Sequence, residues 1–254
     1  MNLTTQISPN PEIAVAPLNT AAVRQQVEAD GVVKLSSNGM TAHGFVDFLS
    51  TLGPLMFTEG EIPLKALPDL NIVTNVGRTK PPRSVFHSDT TYVRRPPSFS
   101  GLIAADVPEQ GGATLFTDQY AAFEALPDAL QTLLMGATML HSVTEVDLSD
   151  GAERDCRHPV LRRHPGTGRT ALYLTTTARC SELRLADGSD RSDLIQTLYD
   201  HSLNLQPPRA HRWRAGDVVI WDNRCTLHAA DHSAVVGNRT LYRGMVRGEI
   251  PESA

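Results

Sequence analysis

Of the nine histidines in this sequence, two stand where they could do chemistry together with a carboxylate. The segment SVFHSDTTY holds His87 and Asp89. Residues i and i+2 of an extended chain point to the same side, so this imidazole and this carboxylate would converge on one point. That is the start of a site for a first-row divalent metal. A second segment, GDVVIWDNRCTLHAADHSAVVGNRTLYRG, places His228 after a strand expected over 217–221, with Arg239 and Arg243 on a later strand. Only tertiary folding can bring His228 to the earlier pair. Two neutral imidazoles and one carboxylate on one face of a metal leave the opposite positions open, which suits Fe(II) that must bind a co-substrate and then oxygen. Zinc more often takes three histidines or thiolates in a nearly closed tetrahedron. Cys156, Cys180 and Cys225 lack the spacing for that and read as small apolar fillers.

The elements that must position these groups are mostly short strands. From LNIVTNVG (70–77) onward, apolar runs such as FSGLIAADV, ATLFTD, ATMLHSV, TALYLT and TLYRGMV are cut by Gly, Pro, Asn and Asp. That spacing predicts a sandwich or jelly roll rather than a βαβ fold. HPGTGR, between HPVLRR and TALYL, is a hairpin turn signal. Helices are expected from an Asn19 cap through Asp30 to Gly31, and from a Thr41 cap to Gly53. In the second, Phe45, Phe48, Leu49 and Leu52 follow helical spacing. Two more are expected around 118–135, broken near Pro127, and around 192–203. Residues 1–18 read as an extended arm and 54–68 as an irregular loop. With no internal repeat and no low-complexity segment, the whole of 1–254 reads as one domain with a core of about 31–248.

Composition narrows the partners. The chain has 254 residues, 41% hydrophobic and 20% charged, with a formal charge of −5 and no run of basic residues. Nucleic acid and anionic membranes are therefore poor candidates. No apolar run reaches the roughly 18–20 residues that cross a bilayer. The N-terminus lacks the pattern of a secretory leader, and three cysteines make no disulfide framework, so a reducing cytoplasm fits.

Five segments in order, FHSDTTY, PEQGGATLFTD, HPVLRRHPGTGRTALYL, WRAGDVVIWDNRCTLHAA and RTLYRGMVRG, resemble the taurine dioxygenase-like Fe(II)/2-oxoglutarate-dependent oxygenases, a group within the clavaminate-synthase-like superfamily. The likeness runs from about Gly31 to Gly248. It implies a double-stranded β-helix (jelly roll, cupin-like) core with flanking helices. It implies that His87, Asp89 and His228 bind Fe(II), that Thr114 and Arg239 hold the distal carboxylate of 2-oxoglutarate, and that Arg243 contacts its keto-acid end, the substrate, or both. The spacing to both arginines selects His228 over His232. The implied activity is hydroxylation, or desaturation, epoxidation or cyclisation by the same route, of a small molecule or biosynthetic intermediate, consuming O₂ and releasing succinate and CO₂. Asp89 argues for oxygenation over halogenation, because related halogenases have a small residue there. Asn75, Ser88, Tyr92 and the stretch Thr175–Cys180 are expected to border the substrate. Arg243 suggests an acidic group on it. The stretch between Gly53 and Leu70 looks shorter than in taurine dioxygenase, which argues for a different, larger substrate. Homo-oligomers are common in the group.

Bland roles are expected for the rest. Trp221 and Asn223 read as core packing and turn bonding, and His141 and His158 as structural. Arg83, Arg94 and Arg95 flank the HxD segment as surface charges or entrance residues. Two other functions fit the ligands alone: a zinc or manganese hydrolase, and a non-catalytic ligand-binding sandwich.

Overall fold

Short runs enriched in apolar, β-branched and aromatic residues between turn residues favour extended chain, and they pair into sheets. In the computed structural model, which describes residues 12–37, 39–77, 84–144 and 146–254, the largest sheet has eight strands. Its order is Val15–Ala16, Val32–Leu35, Val218–Asp222, Pro97–Asp106, Thr240–Arg247, Leu67–Thr74 and Pro63–Leu64, with Leu55–Met56 also pairing with Thr240–Arg247. A three-stranded sheet of Arg209–His211, Thr114–Asp118 and Thr226–Ala230 faces it. Phe116 of the small sheet meets Trp221 of the large one at 5.7 Å between ring centroids, within a core that also holds Val32, Leu102, Val219 and Leu241. The mainly β, jelly-roll expectation holds. The turn HPGTGR is a hairpin, pairing Leu161–Arg163 with Thr170–Leu172.

Local chemistry sets the helix ends. Asn19 Oδ1 accepts from the Ala22 amide to start α1 (Thr20–Asp30), and Gly31 ends it at φ 77°, where a side chain would be strained. Thr41 caps α2 (Ala42–Leu52) through the Gly44 amide. The region around Pro127 is divided into α3 (Gln119–Glu124) and α4 (Asp128–Leu134), and α5 spans Leu194–Asn204. Asp118 caps α3 through the amides of Tyr120 and Ala121. The stretch 54–68 is more ordered than a loop, since two short strands there extend the large sheet. Their two-residue length carries no periodicity to read. The arm is extended at Val15–Ala16, where it adds a parallel strand beside Val32–Leu35; residues 1–11 and Arg83 lie outside the described residues. Among the described residues, no helix is long and apolar enough to cross a membrane.

Helix α2 lays Phe45, Phe48, Leu49 and Leu52 on the outer face of the large sheet, against Ile103, Val218, Ile220 and Val246. It can lie close because Gly101 and Gly244 pair across the sheet beneath it. A Cβ at 244 would run into Leu49 and Leu70. Gly244→Ala is therefore expected to destabilise the fold by about 1–3 kcal/mol through overpacking, measured by chemical denaturation; unchanged stability would disprove that close fit.

Candidate metal centre and co-substrate cavity

The three candidate metal ligands meet. His87 Nε2 lies 3.8 Å from Asp89 Oδ1, and His228 Nε2 lies 3.8 Å from Asp89 Oδ2. One ligand atom from each residue falls within 4.8 Å of the others. The pairing is built by backbone. The amide of each histidine donates to the carbonyl of the other at 2.9 Å, an isolated antiparallel bridge that lays their rings 4.3 Å apart. His228 is inserted beside Trp221, with ring centroids at 4.5 Å. Burial pushes the His228 pKa down to about 3, aided by His87, and burial also lowers that of His87. Both rings are neutral at pH 7. His87 Nδ1–H donates to the Val85 carbonyl at 2.9 Å, which leaves the Nε2 lone pair turned to the site. Burial opposes ionisation of Asp89, but the Arg243 guanidinium, the two histidines and Ser100 hold its carboxyl well below the usual range.

Asp89 is held by a chain of hydrogen bonds that the sequence did not reveal. Trp221 Nε1–H donates to Asn223 Oδ1 at 3.1 Å, and Asn223 Nδ2–H donates to Ser100 Oγ at 2.8 Å. Ser100 must then turn its own hydroxyl proton to Asp89 Oδ2, at 2.7 Å. An indole can only donate, so it fixes the direction of the whole chain. Ser100 and Trp221 are register partners on adjacent strands. Such strand-to-strand contacts leave no sequence motif, and Trp221 and Asn223 bond toward the metal ligand as well as packing and turning the chain.

A cavity of about 240 Å³ opens on this group, lined by His87 and His228 and also by Thr114, Trp221, Arg239 and Arg243. Arg239 is 1% exposed. Its Nε donates to the Gly112 carbonyl at 2.9 Å and its Nη2 to Thr114 Oγ1 at 3.3 Å. Its Nη1 has no partner. Among the described residues no carboxylate answers this cation, and burial lowers its pKa to about 10. Thr114 Oγ1 also accepts from Trp213 Nε1 at 3.0 Å. A buried guanidinium with a free donor beside a hydroxyl is a seat for a carboxylate. Three convergent neutral-N and anionic-O donors fit a divalent iron. The residues present thus fit both a ferrous ion and a dicarboxylate.

Residues 5–245 match the taurine catabolism dioxygenase TauD, TfdA family. The chain belongs to this family. It is 34% identical over 171 residues to an alpha-ketoglutarate-dependent 2,4-dichlorophenoxyacetate dioxygenase of Cupriavidus pinatubonensis, covering 63% of this chain and 58% of that one. It is 32% identical over 165 residues to pentalenolactone F synthase of Streptomyces arenae, covering 57% and 55%. The alignments thus span little more than half the length of these curated relatives. A taurine dioxygenase from Burkholderia xenovorans shares the fold, with a TM-score of 0.79, 24% identity, and coverage of 98% of this chain and 92% of that one.

Not every residue marked in the sequence faces the cavity of this TauD/TfdA-family chain. Ser88 is buried, its hydroxyl donating to the Asn223 carbonyl at 3.0 Å. Thr175 Oγ1 accepts from the Ser88 amide and donates to the Ser88 carbonyl, both at 3.3 Å. These two clasp the HxD segment, and neither is among the residues lining the larger cavity. Asn75 braces the approach to Arg239, accepting from the Arg239 amide at 2.8 Å and donating to the Gly237 carbonyl at 3.0 Å. Tyr92 lines a smaller cavity of about 110 Å³ with Glu61, Asp89, Arg179 and Arg243. His158 Nε2–H donates to the carbonyls of Thr91 and Val93, a structural role as expected. Arg94 and Arg95 are exposed, and His232 is not one of the three convergent residues.

Asp222 anchors the turn that carries Asn223. It is fully buried and accepts from Arg224 Nε at 2.8 Å, Arg224 Nη2 at 2.6 Å and His164 Nε2 at 2.9 Å. Against the cost of burial, Arg224 and His164 keep its pKa well below the ordinary value. Asp222→Asn removes the buried charge shared by Arg224 and His164 and leaves Arg224 to the less buried Glu28 and Glu249, and it is expected to cost about 3 kcal/mol at pH 7. A lowered folded pKa stabilises above the unfolded value near 3.9, and that contribution fades as pH falls below it. Denaturation of both proteins from pH 7 to pH 3 should show the gap narrowing with acid; a gap that widened would reject this account.

Proposed function

We propose that this protein is an Fe(II)- and 2-oxoglutarate-dependent dioxygenase that hydroxylates a small molecule, or desaturates or epoxidises it by the same route, releasing succinate and CO₂. His87, Asp89 and His228 hold the iron. Thr114 and Arg239 hold the far carboxylate of 2-oxoglutarate, and Arg243 stands beside Asp89 at the keto-acid end. The observation that carries this reading is Arg239, a buried cation with an unused donor, in the same cavity as the two imidazoles. A hydrolase on the same three ligands gives that guanidinium nothing to do, and a non-catalytic sandwich gives no reason for the three ligands to converge.

Bound iron, with 2-oxoglutarate and O₂, supplies the oxidising power that no protein side chain has. The chain's part is positioning. The neutral imidazoles need lose no proton to serve as ligands. Ser100 and Arg243 grip opposite oxygens of Asp89 and fix its plane. Arg239 and Thr114 orient the dicarboxylate along the cavity, while Trp221 and Phe116 keep water from the His228 side. An acidic group on the substrate, the expectation Arg243 raises, would have to displace a carboxylate already in place: Arg243 Nη2 donates to Glu61 at 3.1 Å.

Anaerobic addition of Fe(II) and then 2-oxoglutarate to metal-free protein should produce a weak visible charge-transfer band only when both are present. The band should vanish in His87→Ala and His228→Ala; its survival in either variant would sink the assignment. Arg239→Ala should weaken 2-oxoglutarate binding by about 2 kcal/mol or more, since a buried charged pair loses one partner. Ser100→Ala should lower metal affinity by roughly 10-fold or more, the usual effect of removing a partner behind a ligand, as read by titration with Co(II) or Mn(II). Unchanged affinity would leave the hydrogen-bond chain without a role at the metal.

A further inference from the structure

The seat that Arg243 offers is already filled from within the chain. Its Nη1 donates to Asp89 Oδ1 at 2.7 Å, its Nε to Asn71 Oδ1 at 3.0 Å and its Nη2 to Glu61 Oε1 at 3.1 Å. Asn71 Nδ2 closes the ring by donating to Glu61 Oε2 at 3.2 Å. Every nitrogen of the guanidinium is engaged, and two carboxylates stand against its one positive charge.

The ring is written into the sheet. Asn71 is the register partner of Arg243 on one side and of Pro63 on the other, so the short Pro63–Leu64 strand sets Glu61 beside both. Asn71 is 2% exposed and cannot turn to water. Glu61 keeps 39% of its side chain exposed, so the ring has a buried base and an open rim. Glu61 and Arg243 line both the larger cavity and the smaller one next to it. The larger cavity is therefore polarised. Among the described residues Arg239 is a cation with no carboxylate against it, and Glu61 gives the same cavity a partly exposed carboxylate.

We propose that Glu61 sets the charge of the substrate: the molecule that docks beside the metal presents a hydrogen-bond donor or a cation, such as an amine, to the Glu61 carboxylate, and acids are turned away there. This rests on the functional reading above and reverses the sign that Arg243 alone suggests. A carboxylate or sulfonate that docks beside Glu61 meets a carboxylate of like charge, and like charges at close range in a partly desolvated cleft repel. An ammonium group meets a carboxylate whose two oxygens each retain unused lone pairs. At the other end, the single anion that the cavity requires is the co-substrate on Arg239.

The test uses two probes with one skeleton, phenoxyacetate and 2-phenoxyethylamine, titrated calorimetrically into the full-length protein under anaerobic conditions. Titrations are run with Fe(II) and 2-oxoglutarate bound, so that Arg239 is occupied and the acid probe cannot take that seat. Wild-type protein should bind the amine at least tenfold more tightly than the acid. Glu61→Gln keeps the side-chain shape and an acceptor for Arg243 but removes the charge, and it should erase that preference, weakening the amine about tenfold and strengthening the acid. Equal or tighter binding of the acid to wild type, binding of neither probe, or a preference that survives Glu61→Gln would each overturn the proposal. If the visible band fails to form with Fe(II) and 2-oxoglutarate, it is the metal assignment that fails; a normal band without the charge preference removes only the role of Glu61.

Discussion

Two hydrogen bonds of 2.9 Å join the backbones of His87 and His228, and the rest of the site is arranged around them. The segment holding His87 belongs to no long strand, and among the described residues this isolated bridge is its one backbone pairing to the small sheet. A slip of one residue would turn every side chain of an extended segment to the opposite face. His87 and Asp89 would then point into the protein and Ser88 outward. Ser88 prevents this. Its hydroxyl bonds the Asn223 carbonyl, and its backbone is held on both polar groups by Thr175. The parity of the HxD motif is thus fixed by the residue between its two named members. That explains why Ser88 and Thr175, which resemble substrate contacts in sequence position, are spent on holding the segment.

Charge follows from this placement. One small volume contains the buried Asp89, His228 and Arg239 and the partly buried His87 and Arg243, and burying any of them unpaired is costly. The structure resolves the conflict unevenly. Arg243 is fully answered by Asp89, Asn71 and Glu61, and the imidazoles escape cost by staying neutral. Arg239 is answered only by a carbonyl and a hydroxyl. That imbalance makes the cavity directional, because a dianion lowers its energy at one end and not at the other.

The sequence disclosed these features unequally, and the division is physical. Helix caps at Asn19 and Thr41 act over three residues, so they can be read from local sequence. The HxD spacing is legible for the same reason, since alternation along one strand needs no tertiary knowledge. His228 stands out in its own segment, but its meeting with the earlier pair and the roles of Thr114 and Arg239 come from resemblance, because only a known fold relates segments so far apart. Ser100, Asn71 and Glu61 went unnoticed. Ser100 and Asn71 act through register partners on neighbouring strands and Glu61 from the bend before Pro63–Leu64, none of which the sequence declares, and serines, asparagines and glutamates are common enough to raise no signal singly. The two-residue strands near Leu55 and Pro63 were invisible too, yet Pro63–Leu64 is what brings Glu61 to Arg243.

A site built this way is incomplete by design when nothing is bound. The Arg239 Nη1 atom is buried without a partner, and a group left so costs free energy that the surrounding packing must offset. Under the proposed reading, a divalent cation adds positive charge beside Asp89 while a dicarboxylate adds negative charge beside Arg239. The two additions cancel across one cavity, so each makes the other easier to accommodate. Selective binding to the folded state then stabilises it by mass action. The polarity that costs stability in the free protein is the same polarity that orders the co-substrate, with its far carboxylate at Arg239 and its reacting end toward Asp89. A symmetric, fully satisfied cavity would be more stable alone and would give a dicarboxylate no reason to choose one orientation over the other.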